Sequence, residues 1–319
     1  MNYKFTRTWA EINLDNIAHN VKEIQRVAGK RTEIMAVVKA DAYGHGAVPI
    51  ALRLESLGVD YFAVADLDEA MQLRKGGITT PILILGYTSK DLAGLLTEYN
   101  ITQTVFSLDY AEGLSKVAEA IGCKLKVHIK LDTGMNRLGF PCQTEESINS
   151  TIDLLVKACK LPNLEVEGIF THFAVSDEPD NPFTLEQLGR FKSVIKLLEQ
   201  KGIKFLLKHC ANSGAVLSFP ETYMDMVRPG IILYGLYPSD NVDKSRISLK
   251  PAMSLKANVI LVKDVEPNIP ISYGRVFKTQ RYSKIATIPI GYADGYSRLL
   301  TGKARVLING EFAPVVGTI

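Results

Sequence analysis

Hydrophobic and polar positions along the chain fall into a repeating alternation. After an N-terminal stretch, Leu14–Val27 reads as an amphipathic helix, with Leu14, Ile17, Val21 and Ile24 on one stripe. Short apolar runs then alternate with longer helical patterns, each pair closed by Gly, Pro or Asn. The runs that predict strands are Ile34–Lys39, Tyr61–Ala65, Ile82–Leu85, Thr102–Phe106, Leu125–Leu131, Leu164–Thr171, Phe205–His209, and Met224–Val227 with Ile231–Leu233. Between them Ala47–Leu57, Leu67–Lys75, Lys90–Glu98, Leu108–Ile121, Glu145–Lys160, Leu185–Gln200 and Ser213–Leu217 predict helices. Eight strands alternating with helices is the count of a (β/α)8 TIM barrel, an α/β fold. An open doubly wound sheet carries the same alternation, usually with fewer strands.

Past about Pro238 the rhythm changes. Ser254–Val265, Lys284–Ile290 and Ala304–Ile308 read as strands with no helix between them, and Asn309-Gly310 is a hairpin turn signal. The expected organisation is a barrel over 1–240 followed by a C-terminal strand-rich domain over 241–319. The last residues, Val315-Val316-Gly317-Thr318-Ile319, have strand composition and no closing polar tail. They read as a domain cut short.

Composition narrows the class. Hydrophobic residues make up 46% and charged residues 22%, which is ordinary for a globular protein. Lys plus Arg is 37 against 34 for Asp plus Glu, a formal charge of +3, so nothing points to a nucleic-acid surface. No apolar run approaches the ~18 residues that span a bilayer. The start, Met-Asn-Tyr-Lys-Phe-Thr-Arg-Thr-Trp, carries no signal-peptide core. Cys123, Cys142, Cys159 and Cys210 form no C-x-x-C pair, which argues against structural zinc or a disulfide scaffold and suits a cytoplasmic enzyme.

In such a barrel the chemistry sits where strands end, so polar residues there are informative. Lys39 closes the first apolar run, sharing a face with Met35 and Val37. By itself it reads first as a strand-terminal lysine reaching solvent. The fifth run puts His128, Lys130 and Asp132 on one face and leads into Thr133-Gly134-Met135-Asn136-Arg137. The sixth ends in Thr171-His172-Phe173, the seventh in His209-Cys210-Ala211-Asn212-Ser213, the eighth in Arg228-Pro229-Gly230. Asn212-Ser213 and Gly230-Ile231 offer hydroxyl and backbone donors where this barrel often binds phosphate. A lysine able to form a Schiff base, a phosphate cradle and a positioned arginine together suggest pyridoxal phosphate. Two other chemistries fare worse. Gly44-His45-Gly46-Ala47-Val48-Pro49 has Pro where a dinucleotide fingerprint needs its third Gly, and the histidines show no helical i, i+4 pair for zinc.

The segment Ala36-Val37-Val38-Lys39-Ala40-Asp41-Ala42-Tyr43-Gly44-His45-Gly46 closely resembles the cofactor-lysine signature of alanine racemases. The resemblance continues through Trp9–Leu14, Lys130–Phe140, Thr171–Ala174, Ala211–Ser213, Arg228–Gly235, Ser272-Tyr273-Gly274 and Gly291–Gly295, nearly the whole chain in order. It implies a fold-type III pyridoxal 5'-phosphate enzyme working as a homodimer with shared sites, supplying D-alanine for peptidoglycan.

On that resemblance Lys39 would carry the cofactor and act as one base, serving the D-isomer. Tyr273, from the partner subunit, would be the other and serve the L-isomer. Arg228 would face the pyridine nitrogen and keep it unprotonated, restraining transamination. His172 would support Tyr273, and Tyr43, Ser213, Gly230 and Ile231 would hold the phosphate. His209 and Asn212 complete the implied cofactor set. Arg137 would meet the cofactor's phenolic oxygen and the substrate carboxylate, with Tyr273 and Tyr292 also at the substrate. Lys130 matches a lysine often carbamylated in relatives; its other reading is a cation paired with Asp132. No metal is implied. The family continues past Val315–Ile319 into a substrate-contacting segment that this sequence lacks. The alternatives are a serine racemase of the vancomycin-resistance type and a non-catalytic pyridoxal-phosphate-binding protein. The second lacks a counterpart of Tyr273.

Overall fold

The computed structural model describes residues 7–319. Residues 1–6, part of the stretch read above for a signal sequence, lie outside the described residues. The chain divides into two compact units. One is Asn13–Ala252; in the other the segment ending at Ile12 joins Met253–Ile319.

In the larger unit eight parallel strands close on themselves. They are Glu33–Val37, Tyr61–Val64, Ile82–Ile84, Ile101–Val105, Leu125–Asp132, Leu164–Phe170, Leu207–His209 and Met226–Val227. Each pairs with the next, and Met226–Val227 returns to Glu33-Ile34, so the sheet is a barrel and not an open one. Burial explains the apolar runs that marked Tyr61–Val64 and Ile82–Ile84, while Ile101–Val105 is buried although its centre is Thr-Gln-Thr. Every residue of Tyr61–Val64, Ile82–Ile84 and Ile101–Val105 is buried, as parallel strands covered on both faces require. Met35, Val37, Tyr61, Ala63, Leu83, Phe170, Leu207 and Met226 form one packed cluster of these strands.

The intervening helices start where short polar side chains cap them. Asn13 accepts from the Asp15 and Asn16 N–H groups ahead of Leu14–Ala28, and Asp66 accepts from Glu69 N–H ahead of Leu67–Lys75. Thr144 and Ser147 close a reciprocal capping box before Glu145–Cys159.

Three expectations change. The first strand ends at Val37, so Lys39 opens the following turn and does not close the strand. Ile231–Leu233 is not strand. Ile231–Tyr234 is a 3-10 helix, because the chain turns at Gly230 and Leu233 N–H bonds back to Gly230 C=O. Val315–Ile319 likewise forms no strand; Val315 N–H donates to Ala304 C=O and the segment stays irregular. Among the described residues no helix is long and apolar enough to cross a membrane.

The smaller unit is strand-rich. Thr8–Ile12 pairs antiparallel with Met253–Ala257, Leu261–Val265 with Ser283–Thr287, and Arg305–Ile308 with Glu311–Pro314. Asn309 and Gly310 both have positive φ, 50° and 87°, the geometry of a two-residue hairpin turn matched to strand twist.

Candidate active site

The turn after the first strand is the most strained backbone in the barrel unit. Ala40, Asp41, Ala42 and Tyr43 all have φ between 52° and 54°, four consecutive left-handed residues without a glycine. Each costs roughly 1–2 kcal/mol relative to the right-handed form, so the surroundings must hold them. Glu69 does so from the helix Leu67–Lys75: its carboxylate accepts from Ala40 N–H (2.6 Å) and Ala65 N–H (2.7 Å). Asp41 accepts from Ala47 N–H at 2.6 Å, and the Tyr43 and His45 rings pack on Tyr234, whose hydroxyl donates to Val37 C=O at 2.9 Å. The turn thereby sets Lys39 on the wall of a cavity.

That cavity has a volume of about 510 Å³ and lies at the C-terminal ends of the strands; Lys39, Tyr43, Lys130, Arg137, His172, Asn212, Ser213, Arg228, Gly230 and Ile231 all line it. His209 does not: it is fully buried behind Arg228. Tyr273 and Tyr292 belong to the strand-rich unit. Tyr273 is 82% exposed, on a short turn that follows Ser272 at φ 63°.

Arg228, only 3% exposed, touches no carboxylate among the described residues. Its Nη1 donates to His209 Nδ1 (3.1 Å), and its Nη2 to Thr171 C=O (2.8 Å), His172 Nδ1 (3.1 Å) and Cys210 C=O (3.3 Å). A guanidinium has no acceptor. His172 must therefore present a lone pair at Nδ1 and carry its proton on Nε2. Burial, then the charge of Arg228, holds both His172 and His209 far below the ordinary imidazole range, so both are neutral. Burial brings Arg228 down only to about 10, and it keeps its proton at neutral pH.

Lys130 is buried, its Nζ 5.5 Å from the centre of the Phe170 ring. It forms no ion pair with Asp132 among the described residues. Asp132 instead accepts from Gly134 and Asn136 N–H, both at 3.0 Å, shaping the loop that carries Arg137. Burial, followed by the nearby charges of Arg137 and Arg228, lowers Lys130 to about 8.

At the opposite wall Ser213 Oγ accepts from Gly230 N–H at 2.9 Å, leaving its own proton to donate. A Cβ at Gly230 would stand 2.9 Å from Tyr43 Oη, so only glycine leaves this cradle open. Asn212 points elsewhere. Its Oδ1 caps the following helix at Ala215 N–H and accepts from Ser176 Oγ. Four cations, Lys39, Lys130, Arg137 and Arg228, face one lining carboxylate, Asp177. Such a cavity fits an anionic ligand, and the Ser213 hydroxyl beside Gly230 could hold a phosphate.

Sequence reasoning missed Glu69. Asp66 and Glu69 have helix-start spacing, but the target of the Glu69 carboxylate lies 29 residues away at Ala40. Phe170, under both Lys130 and Arg228, was also missed, because its apolar neighbours mark it only as core.

Comparison with known proteins agrees with this geometry. The alanine racemase N-terminal domain model matches residues 12–238 and the C-terminal domain model matches 252–319. The domain read as cut short is thus represented. An alanine racemase of Clostridium perfringens is 52% identical over 311 residues, covering 98% of this chain and 79% of that protein. The solved alanine racemase of Clostridium difficile 630 superposes with a TM-score of 0.90 at 44% identity, covering 98% of this chain and 80% of that one. A histidine racemase of Leuconostoc mesenteroides superposes with a TM-score of 0.87 at 30% identity, over 99% of this chain and 83% of its own. The chain belongs to the alanine racemase family.

Proposed function

We propose that this chain interconverts L- and D-alanine with pyridoxal 5'-phosphate as cofactor, through two bases on opposite faces of the substrate Cα. The observation that carries the reading is Arg228: a buried guanidinium with no carboxylate partner among the described residues, braced by two neutral imidazoles, at a cationic cavity that Lys39 also lines. Bound there, the cofactor supplies the electron sink that acidifies the amino acid's Cα–H.

The chain's own residues divide the remaining work. Lys39 holds the cofactor and exchanges the Cα proton on one face. Tyr273, from a second copy of the chain, exchanges it on the other. A racemase needs one group to remove a proton and another to return one. Its exposure within one chain supports a homodimer with shared sites, and Tyr292 is assigned to the substrate on the same basis. His172, its proton fixed on Nε2, is the donor that stabilises the Tyr273 phenolate. Ser213 O–H, Tyr43 and the backbone around Gly230–Ile231 hold the phosphate. His209 serves the cofactor indirectly, by bracing Arg228. Asn212 does so by capping the segment that begins at Ser213. Arg137 takes the substrate carboxylate.

We assign Lys130 to carbamylation. A lysine lowered to about 8 is partly neutral at physiological pH, and its free amine adds to carbon dioxide with loss of one proton. The resulting anion would meet Arg137 where the unmodified lysine repels it. Carbon-13 NMR in labelled bicarbonate should show one carbamate that grows as pH rises through about 8 and is absent from Lys130→Ala. No carbamate at pH 8 would remove this assignment.

The relatives' activity supports alanine over serine, and D-alanine made here would feed peptidoglycan precursors. Four unpaired cysteines support a reducing, cytoplasmic setting. Racemisation of L-alanine and L-serine side by side, with cofactor added, tests the function. Alanine turnover well above serine is expected. Equal or greater serine turnover would favour the serine racemase reading, and cofactor binding without turnover of either would favour the non-catalytic one.

A further inference from the structure

Arg228 is a buried cation whose nearest braces are histidines, and the structure shows where that bracing leads. Because Arg228 only donates, His209 accepts at Nδ1 and, being neutral, carries its proton on Nε2. That nitrogen lies 3.0 Å from His128 Nδ1, so it donates there, and the His128 proton is in turn placed on Nε2. His128 Nε2 is fully buried and makes no hydrogen bond among the described residues. It stands 3.7 Å from a carboxylate oxygen of Glu167. The same carboxylate accepts from Tyr61 O–H at 3.1 Å, and Tyr61 is joined to Thr102 Oγ1 at 2.8 Å. The two imidazoles thus form a one-way chain inside the barrel, every proton pointing away from Arg228 and toward an anion.

Packing holds the chain in place. Phe170 stacks on His209 at 4.9 Å and 6°, fixing that ring plane. A Cβ at Gly168 would come within 2.8 Å of the His128 ring, so the glycine next to Glu167 makes the space that His128 fills. Tyr61 begins its strand and Glu167 precedes Phe170 by three residues, which puts the carboxylate toward the N-terminal ends of the strands, away from the cavity.

We propose that Glu167 is a remote positioning residue that acts on Arg228 through His128 and His209. A carboxylate at the far end polarises both imidazoles, strengthens the lone pair that His209 offers to Arg228, and so tempers the positive charge Arg228 presents to the cavity. The hydrogen-bond chain stands independently of the reaction; its effect on turnover rests on the proposed function.

The test uses full-length protein with 15N-labelled histidine, in the wild type, E167Q, H128N and the double variant. Gln keeps an acceptor at 167 but removes the charge. Asn at 128 keeps an acceptor for His209 while cutting the link to Glu167. Long-range 1H–15N spectra should show His209 and His128 neutral and protonated on Nε2 in the wild type. E167Q should move the His209 Nδ1 shift, and should not do so in the H128N background. In the holoenzyme E167Q should lower kcat about 2- to 30-fold with KM unchanged, and add little to H128N. A proton on Nδ1 of either histidine overturns the proposal. So does an E167Q effect that persists undiminished in H128N. If H128N does not fold, an unchanged His209 Nδ1 shift in E167Q alone decides against it. Absence of wild-type racemisation would reject the proposed function instead, and the spectra would still decide the chain.

Discussion

Tyr273→Phe is expected to lose about 10²–10⁴-fold of racemase turnover while taking up pyridoxal phosphate like the wild type. The substitution removes one oxygen from a side chain that is 82% exposed within its own chain, so the fold has little to lose. Two-base logic also predicts an asymmetry. With the phenol gone, Lys39 remains to remove the Cα proton from its own face. D-alanine should still exchange that proton with deuterated solvent, and L-alanine should not. Proton NMR of each isomer after incubation in deuterium oxide reads this directly. Equal exchange from both isomers would show that one group serves both faces, and unchanged turnover would favour a non-catalytic role.

Arg228→Glu should act through a different route. In the wild type His172 and His209 both offer Nδ1 lone pairs to the guanidinium, and both are held far below the ordinary imidazole range by burial and by that charge. A carboxylate in the same place cannot donate. Each imidazole must then take a proton on Nδ1 to face it, and their pKa values should swing upward. His172 would become a cation beside Tyr273, and the cofactor's ring nitrogen would face an anion able to hold a proton there. Racemisation should fall by about 10²–10³-fold, the usual cost of losing a preorganised charge at a reacting centre. The share of turnovers ending in transamination should rise, read as pyruvate released per alanine racemised. An unchanged ratio would mean that Arg228 does not govern where electron density goes.

The two substitutions are separable because they touch different chemistry. On the proposed function, Tyr273 would handle a proton at Cα, whereas Arg228 would set the electrostatics of the cavity without meeting the substrate. Glu69 represents a third kind of dependence. It holds the backbone N–H of Ala40, next to Lys39, and so maintains a turn that its own residues disfavour.

Much of the barrel was legible because strands such as Tyr61–Val64 and Ile82–Ile84, buried on both faces, appear as apolar runs between helical patterns. Leu67–Lys75 matches its predicted bounds, and Asn309-Gly310 takes the hairpin turn its residues favour. Lys39, Lys130, His172 and Arg228 were visible as polar residues at strand ends, and the structure brings all four to one cavity. Other features depended on contacts between distant segments. Asp41 braces Ala40–Tyr43 locally through Ala47 N–H, but four consecutive left-handed residues also need Glu69 and Tyr234, which lie far away along the chain. Ile231–Leu233 has strand composition, yet the turn at Gly230 makes it helical. Closure of the sheet was open from alternation alone, since only the return of Met226–Val227 to Glu33-Ile34 separates a barrel from an open sheet. The proton positions on His172, His209 and His128 follow from Arg228 having donors and no acceptors, but only after folding brings His172 and His209 to Arg228 and His128 to His209. The sequence by itself determined which elements form and which chemical groups end them. Tertiary structure alone decided the strained turn, the tautomers and the reach of Glu167, because each depends on a hydrogen-bond or charge partner far away along the chain.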